Sequence, residues 1–327
     1  MRKFVHAIAL TGLGLAMAMA QQAPASAADS GKPLKIVYVS HDPLTDPWMV
    51  PVDTGLKQAA KDFNVNLVFR SVQNLAGAAN DELRLIQDAV AQKPDGIIVA
   101  NWNPVALNPE IKKAVDQGIP VIQTVAGFGE IEATGSLTYI GNDEEKLGFV
   151  GGQQLYKSGS RNALIMTTLP GLKVADERDV GFQKGFAPGK VTELKVPFEV
   201  LVNTTGLVNA ALAYLQKDPS IDGVFAIGAC CTAAFVAIID QLGDRAKHMH
   251  FGTIDLGAPV LKAIVDGKAD FAIDGQQYLQ GYWSVEAMAD YLRYDLKPAD
   301  TFTPTGPAVV DKSNAQRLID LTKARVR

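Results

Sequence analysis

The segment LKIVYVS at residues 34–40, with DPW following at 46–48, decides the fold of this chain. The run IVYV at its centre has no polar residue, which is typical of a strand buried on both faces of a parallel sheet. Asp46 suits the cap of a helix and Pro47 suits its first position, so we expect a helix to begin there. A buried strand followed closely by a helix is the first half of a right-handed βαβ unit.

The same alternation of strand and helix continues through the rest of the chain. Further apolar, β-branched runs predict strands at 65–69, 96–100, 120–124, 163–167, 194–201, 223–227, 250–254 and 269–273. Apolar residues at helical spacing predict helices at 78–92, 109–117, 145–157, 175–186, 208–217, 233–242, 258–265 and 282–292. There are too many strands for a single mononucleotide-binding half. Two similar lobes are the natural division, and we place the boundary between them near 139–142. The sequence therefore predicts an α/β protein with two doubly wound parallel-sheet lobes, whose strand ends face a common cleft.

The first 27 residues have the features of a secretory signal peptide. Arg2 and Lys3 precede an apolar run at 7–20, and Ala25-Ser26-Ala27 fits the small-x-small cleavage pattern. The apolar run is too short to span a membrane comfortably, and no Cys at its end offers a site for a lipid. Removing Arg2 and Lys3 moves the formal net charge from −4 to −6. A mildly acidic exported chain is a poor candidate for binding nucleic acid or an anionic membrane surface.

Motifs for covalent or phosphate chemistry are missing from the mature sequence. It contains no Gly-x-Ser-x-Gly elbow, no phosphate-binding loop, and no glycine fingerprint after the first strand. His248 and His250 are the one pair with metal-ligand spacing, and no Cys or carboxylate partner lies at a usable distance in sequence. We therefore predict neither an enzyme nor a metal or cofactor.

Several ordered blocks carry a resemblance to a known family over nearly the whole mature sequence. They are KIVYVS at 35–40, DPW at 46–48, KPDGIIV at 93–99, GIPVI at 118–122, YIGND at 139–143, ER-x-x-GF at 177–182, IDGVF at 221–225, GTID at 252–255, and ID at 273–274 with YLQGY at 278–282. In this order and spacing, the chain resembles the periplasmic sugar-binding proteins of ABC importers, of the ribose/galactose-binding type. The related sugar-responsive repressors begin with a DNA-binding helix-turn-helix, where this chain has a signal peptide.

The resemblance implies the type I periplasmic binding protein fold, with three crossovers near Gly141, Gln276 and Thr305. The first lobe is then 34–141 plus 277–305, and the second lobe with its tail is 142–276 plus 306–327. The implied function is capture of a small sugar or polyol by a periplasmic monomer, and delivery to an ABC transporter permease in the inner membrane. A sensor or chemoreceptor subunit, a binder of a small neutral or cationic non-sugar ligand, and a secreted hydrolase remain alternatives.

Candidate ligand-binding residues of the first lobe follow its predicted strands. The resemblance gives Trp48 as the aromatic ring that stacks on a sugar, with Asp46 beside it as a polar contact or a helix cap. His41 follows the first strand, Asn101 and Trp102 follow the third, and Thr124 ends the fourth. After Thr124 the chain has Val125-Ala126, where the family often has Asp-Arg or Asn. Rings cover the C–H faces of sugars, while amides and carboxylates bind their hydroxyls.

Candidate residues of the second lobe keep the family's Asp but lack its usual Arg. Asp255 matches the ligand-binding Asp, and Asp274 and Gln276 match the last hinge segment. Asp176 stands where the ribose and galactose proteins have a bidentate Arg, and a carboxylate there changes what can bind. Arg178, two residues later, is expected to pair with Asp176 or Glu177, or to orient the site.

Two adjacent cysteines, Cys230 and Cys231, follow the strand that ends at Ile227. Small residues from Gly228 onward leave room beside the cleft, where the ribose-binding pattern has an Asn near Gly228. The cysteines are either two packed thiols or a strained vicinal disulfide that forms a flat apolar wall against the ligand.

Overall fold

The computed structural model describes residues 31–326 except 44–45, 47, 74–77, 168–172, 198–199, 201–202 and 229–230. The predicted signal peptide, Pro47 and Cys230 therefore lie outside the described residues. Within the described part of the chain, the strands form two six-stranded sheets, each covered by helices on both faces. The two α/β lobes confirm the predicted fold class.

The first sheet has the strand order β11-β5-β4-β3-β1-β2, and its paired strands are all parallel. Its strands are β1 Leu34–Ser40, β2 Val65–Ser71, β3 Gly96–Val99, β4 Val121–Thr124, β5 Tyr139–Gly141 and β11 Phe302–Pro304. The helices of this lobe are α1 Met49–Asp62, α2 Ala78–Ala91, α3 Pro104–Asp116, the short α4 Ile131–Thr134, and α10 Gln277–Tyr294. The apolar run in β1 is buried at the centre of this sheet, as its sequence predicts.

The second sheet has the order β12-β10-β9-β8-β6-β7. Its strands are β6 Asn162–Thr167, β7 Lys190–Lys195, β8 Gly223–Ala226, β9 His250–Ile254, β10 Phe271–Asp274 and β12 Ala308–Asp311. The helices are α5 Glu144–Ser158, α6 Lys173–Phe186, α7 Thr204–Lys217, α8 Thr232–Leu242, α9 Ala258–Val265 and α11 Ala315–Lys323, with a 3₁₀ helix at Gly243–His248. The edge strand β12 runs antiparallel to β10, which the sequence analysis did not anticipate.

Several predicted elements begin earlier than the sequence suggested, and one helix and one strand show why. The helix expected at 109–117 begins at Pro104, because Asn103 accepts the Ala106 N–H at 3.3 Å and Pro104 suits the first turn. Pro109 therefore lies inside the helix rather than at its start. The strand expected at 194–201 is β7 at 190–195. It lies at the edge of its sheet, where polar residues such as those of KVTELK are tolerated, so it has no continuous apolar run to mark it in the sequence.

The chain passes between the described parts of the two sheets in three short segments. They lie between β5 and α5, between β10 and α10, and between β11 and β12. The Thr305 hydroxyl donates to the Gly275 carbonyl oxygen at 2.7 Å, and the Asn142 amide donates to the same oxygen at 3.4 Å. Gln280 Nε2 also donates to it, at 3.1 Å. One residue from each crossing and the first turn of α10 thus meet at one carbonyl. These assignments support the lobe boundaries predicted above, which we keep as a proposal.

Helices α5 and α6 pack with their backbones almost in contact. A Cβ atom added to Gly148 would lie 2.0 Å from the Arg178 carbonyl oxygen, and one added to Gly181 would lie 1.9 Å from that of Glu145. Only glycine allows this approach. The close packing brings residues from the start of α5 beside residues from the first half of α6, at the edge of the cleft.

Candidate functional site

The carboxyl ends of the strands of both sheets face each other across the cleft, and two candidate residues meet there. Trp48, just before α1 in the first lobe, donates its indole Nε1–H to Asp255 Oδ1 of the second lobe at 3.3 Å. Gln277 Nε2, at the start of α10, donates to the same oxygen at 2.6 Å. The Asp255 side chain is buried, and its backbone has a φ of +73°, a conformation that few non-glycine residues adopt. Such a conformation at a strand end is typical of a functional position.

Asp46 shapes the turn between β1 and α1. Its Oδ1 accepts the Trp48 backbone N–H at 2.8 Å, and its carbonyl oxygen accepts the Met49 N–H at 3.0 Å. The helix begins at Met49, so the start predicted at Asp46-Pro47 was two residues too early. Burial raises the pKa of Asp46, and the Trp48 N–H opposes this shift. Asp46 therefore fixes the backbone that carries the Trp48 ring.

His41 and Trp102 form one wall of the cleft in the first lobe. Their rings stack with centroids 5.1 Å apart and planes 14° from parallel. His41 Nε2 lies 3.1 Å from Asp42 Oδ2, and its buried Nδ1 has no hydrogen-bond partner among the described residues. The sequence analysis placed both rings at strand ends, and the structure brings them into contact.

Glu82, on α2, lies behind this wall and was missed by the sequence analysis. Its side chain is fully buried, and neither carboxylate oxygen has a hydrogen-bond partner in the described part of the chain. Burial raises the pKa of Glu82 well above its usual value, Asp42 raises it further, and the nearby Trp102 indole lowers it without reaching hydrogen-bond geometry. A helical Glu amid polar residues has no distinguishing pattern in sequence, because only the tertiary structure buries it.

Asn101, at the end of β3, belongs to a network of buried amides. Its Nδ2 donates to Asn108 Oδ1 at 2.8 Å and to Gln123 Oε1 at 3.0 Å. Its Oδ1 is buried and accepts no hydrogen bond from the residues that the structure describes. Thr124, by contrast, directs its hydroxyl toward the carbonyl oxygens of Ile140 and Gln280, inside the first lobe.

Arg178 forms an ion pair with Glu144 of α5. Its Nε donates to Glu144 Oε2 at 2.6 Å, and its Nη1 donates to the Ile227 carbonyl oxygen at 2.8 Å. The close packing of α5 on α6 brings Glu144 within reach. The pairing with Asp176 or Glu177 that the sequence analysis allowed stays a prediction, as does a role of Arg178 in orienting the site. Burial raises the pKa of Glu144, although Arg178 opposes the shift.

Asp176 and Glu177 lie in the first turns of α6. The Asp176 side chain is exposed, whereas Glu177 is partly buried and faces the first lobe beside Lys173. Burial raises the pKa of Glu177 to about 7, with Lys173 opposing and Glu144 adding to the shift. Glu177 was not among the predicted site residues.

The remaining candidates lie near the crossings and the start of α8. Asp274 is buried and accepts the Gln276 backbone N–H at 2.8 Å, while Gln276 Nε2 donates to the Thr305 carbonyl oxygen. Gly228 and Cys231 are buried, and Cys231 immediately precedes α8. Because Cys230 lies outside the described residues, the choice between two thiols and a vicinal disulfide stays open. The assignment of each candidate as a ligand contact also stays a prediction.

A pocket of about 730 Å³ opens beside the Trp48–Asp255 contact. Both lobes line it, through Asp46, Trp48 and Gln277 on one side and the starts of α8 and α9 on the other. This volume is in the range of small-molecule sites. Among the described residues, no group of three His, Cys, Asp or Glu side chains is placed to hold a metal ion, and no helix is long and apolar enough to cross a membrane.

Comparison with known proteins identifies the family. The model of the periplasmic binding protein domain family matches residues 36–295. The chain belongs to this family. It is 30% identical over 304 residues to the xylose/arabinose-binding protein XylF of Sulfolobus acidocaldarius, covering 86% of this chain and 72% of that protein.

Solved structures of the same family resemble the chain over most of its length. A carbohydrate transporter from Acidothermus cellulolyticus 11B in complex with myo-inositol is 30% identical, with a TM-score of 0.80 over 90% of this chain and 100% of that one. An ABC transporter solute binding protein from Agrobacterium vitis, bound with α-D-tagatopyranose, is 23% identical, with a TM-score of 0.74 over 90% of this chain and 98% of that one. At that identity, the second likeness shows the shared fold alone.

Proposed function

We propose that this protein captures a small uncharged sugar or polyol between its lobes and delivers it to an ABC transporter permease. The observation that carries the proposal is the meeting of Trp48 and Asp255 across the cleft. A sugar needs both a ring that covers its C–H face and acceptors for its hydroxyls. These two side chains supply one of each, from opposite lobes.

The charges around the cleft favour an uncharged ligand over an anion. Asp46, Asp255, Glu144 and Glu177 all lie at the strand ends or the helix starts that line it. Arg178, the Arg matched to the family motif, donates its Nε–H to Glu144 and its Nη1–H to the Ile227 carbonyl oxygen, so two of its donor atoms are used within the second lobe. The relatives named for xylose or arabinose and solved with myo-inositol support a pentose or a cyclitol as the first ligands to test.

The mechanism is a shift in population between open and closed arrangements of the lobes. A ligand that touches Trp48 and Asp255 together binds the closed arrangement better, and so favours it. Closure then gives the permease a surface made by both lobes. We propose that the protein acts as a monomer in the periplasm after cleavage behind Ala27, which intact mass measurement of the exported protein tests.

A thermal-shift screen tests the ligand class. The panel holds D-xylose, L-arabinose, D-ribose, D-galactose, myo-inositol and xylitol, with choline and a neutral amino acid as non-sugar ligands. A ligand at 100 times its Kd adds about 2.7 kcal/mol to the free energy of unfolding, which corresponds to a rise in Tm of about 5 °C or more. If choline alone raises the Tm, the ligand is a small cation and the proposed sugar is wrong. If the ligand recovered after incubation is chemically changed, the protein is an enzyme rather than a binding protein.

A further inference from the structure

Lys173 reaches from the second lobe into the first. It is the first residue of α6, and its Nζ lies 2.6 Å from Glu130 Oε1. The same ammonium donates to the Phe128 carbonyl oxygen at 3.2 Å. Phe128 and Glu130 belong to the loop between β4 and α4, in the first lobe. The Lys173–Glu130 contact therefore exists only while the lobes are together.

The position of this lysine is unfavourable unless the contact forms. The amino terminus of a helix carries partial positive charge, so an ammonium on the first residue is repelled by its own helix. Glu130 and the Phe128 carbonyl compensate for this repulsion. The receiving loop is shaped by Gly127 and Gly129, with φ values of +111° and +83°, and a Cβ atom on Gly127 would lie 2.2 Å from Gln123 Oε1.

A line of hydrogen bonds continues from Glu130 to the candidate site. Asn108 Nδ2 donates to Glu130 Oε2 at 2.9 Å, and Asn101 Nδ2 donates to Asn108 Oδ1 at 2.8 Å. An ionised carboxylate only accepts hydrogen bonds, so Asn108 must turn its NH₂ group toward Glu130 and its oxygen toward Asn101. Asn101 must then donate in turn, which leaves its own Oδ1 as the acceptor that remains.

That acceptor is unsatisfied in the present arrangement. Asn101 Oδ1 is buried and has no partner within the described residues. Asn101 and Trp102 of the first lobe, with Lys173 and Glu177 of the second, line a cavity of about 10 Å³ between the lobes. A buried polar atom without a partner costs about 1–3 kcal/mol, so a ligand hydroxyl that donates to it is favoured.

The protonation state of Glu130 fits this role. Burial raises the pKa of Glu130, but the hydrogen bonds and charge of Lys173 and the Asn108 amide outweigh it and lower the pKa overall. Lys173 thus keeps the first group of the line ionised. Glu177, four residues later on the same helix, has an oxygen 3.9 Å from the same ammonium.

We propose that Lys173 is a positioning residue of the ligand site. On closure it pairs with Glu130 and, through Asn108, holds Asn101 with its oxygen directed to a ligand hydroxyl. This inference rests on the proposed function and adds to it a group that couples closure to the orientation of a binding residue.

The first experiment compares Lys173→Met, Lys173→Arg and Lys184→Met in calorimetric titrations with D-xylose and myo-inositol. Lys184 is the matched control, because it pairs with Glu145 at 2.7 Å on the same helix but within the second lobe. Coupling of this kind is worth about fivefold or more in affinity, so we expect Lys173→Met to weaken binding by about that factor. Lys173→Arg should restore most of the affinity, and Lys184→Met should match the wild type. Equal affinities of Lys173→Met and Lys184→Met would overturn the proposal.

A double-mutant cycle separates positioning from simple closure. If Lys173 acts through Asn108, then Asn108→Ala already breaks the line, and adding Lys173→Met should cost clearly less than it does alone. If the affinity loss of the double variant equals the product of the losses in Lys173→Met and Asn108→Ala, the two residues act independently. Lys173 then holds the lobes together without orienting Asn101, and the positioning role is wrong.

A third measurement needs no ligand. Small-angle scattering of the ligand-free protein should show a larger radius of gyration for Lys173→Met than for Lys184→Met, because the more open arrangement is populated. If no sugar or polyol binds, the proposed function fails while the scattering still tests the contact. Identical radii for the two variants would remove the contact as a determinant of closure.

Discussion

Two sets of contacts between described residues cross the cleft, one at Asp255 and one at Lys173, and we expect them to relate to a ligand in opposite ways. In the proposed function Trp48 and Asp255 bind the ligand, so their hydrogen bond to each other would compete with the ligand for Asp255. In the proposed positioning role, the Lys173–Glu130 contact acts on the ligand through Asn108 and Asn101, so we expect it to persist when the cleft is filled. The first contact competes with the ligand and the second cooperates with it. On these proposals Trp48 and Asp255 contact the ligand directly, whereas Lys173 acts through closure and the orientation of Asn101, so mutations can test the two contributions separately.

The largest expected effect comes from Asp255→Asn. Asparagine tolerates the positive φ of this residue and keeps one acceptor for Trp48 and Gln277, but it removes the charge and one oxygen. A charge-assisted hydrogen bond contributes about 1.5–3 kcal/mol, so sugar affinity should fall by about 10- to 100-fold in calorimetric titration. Asp244→Asn, at an exposed position of the 3₁₀ helix, is the control. Wild-type affinity in Asp255→Asn would remove Asp255 from the site.

Next in size is the loss of the Trp48 ring. Trp48→Ala removes the stacking surface. We expect the binding free energy to weaken by about 2 kcal/mol, which is roughly a thirtyfold loss of sugar affinity. Trp48→Phe keeps a ring but not the N–H that bonds to Asp255, and its affinity should stay within about threefold of the wild type. If Phe and Ala prove equally weak, the indole N–H rather than the ring face makes the contact with the ligand.

Glu177→Gln should change how stability depends on pH. Below the ordinary Glu pKa of 4.5, Glu177 carries its proton in both the folded and the unfolded chain. Between 4.5 and about 7 only the folded chain retains the proton, so the free energy of unfolding falls as pH rises through this window. The Tm of Glu177→Gln minus that of the wild type should therefore grow up to about pH 7 and then level off. A difference that stays constant across the window would contradict the raised pKa.

The smallest expected effect is that of salt on the Lys173–Glu130 contact. Both side chains retain some exposure, so their attraction is partly screened by ions. Raising ionic strength from about 0.05 to about 0.5 M should weaken sugar binding about twofold in the wild type, and not in Lys173→Met. An equal loss in both proteins would assign the salt dependence to other charges.

How much of this could be predicted from sequence depends on the range of the interactions involved. The strand-and-helix alternation is local, and it located nine of the twelve strands in the described part of the chain, with β7 displaced. The strands β5 and β11 were missed because three residues are too few to show a periodic pattern. The likeness to a family placed Trp48 and Asp255 in one cleft, where the structure joins them. The antiparallel β12 was missed because its direction follows from the crossing before it rather than from its own residues.

Other parts of the site depend on contacts between distant elements. Glu82 and Glu177 are ordinary helical acids in sequence, and burial against other elements changes their protonation. Glu144 receives Arg178 only because glycines let α5 and α6 approach closely. Lys173 and Glu130 are 43 residues apart and carry no motif. Such pairings become visible only once the lobes are placed relative to each other.

Residues from the three crossings meet at the Gly275 carbonyl oxygen, at the place expected for the hinge between the lobes. Hydrogen bonds close to a rotation axis change little in length when the lobes turn about it, so we expect these three to stay formed in both the open and the closed arrangement. They therefore add almost nothing to the energy difference between open and closed, which is left to the contacts across the cleft. In the proposed function, a permease that parts the lobes would therefore work mainly against the contacts across the cleft.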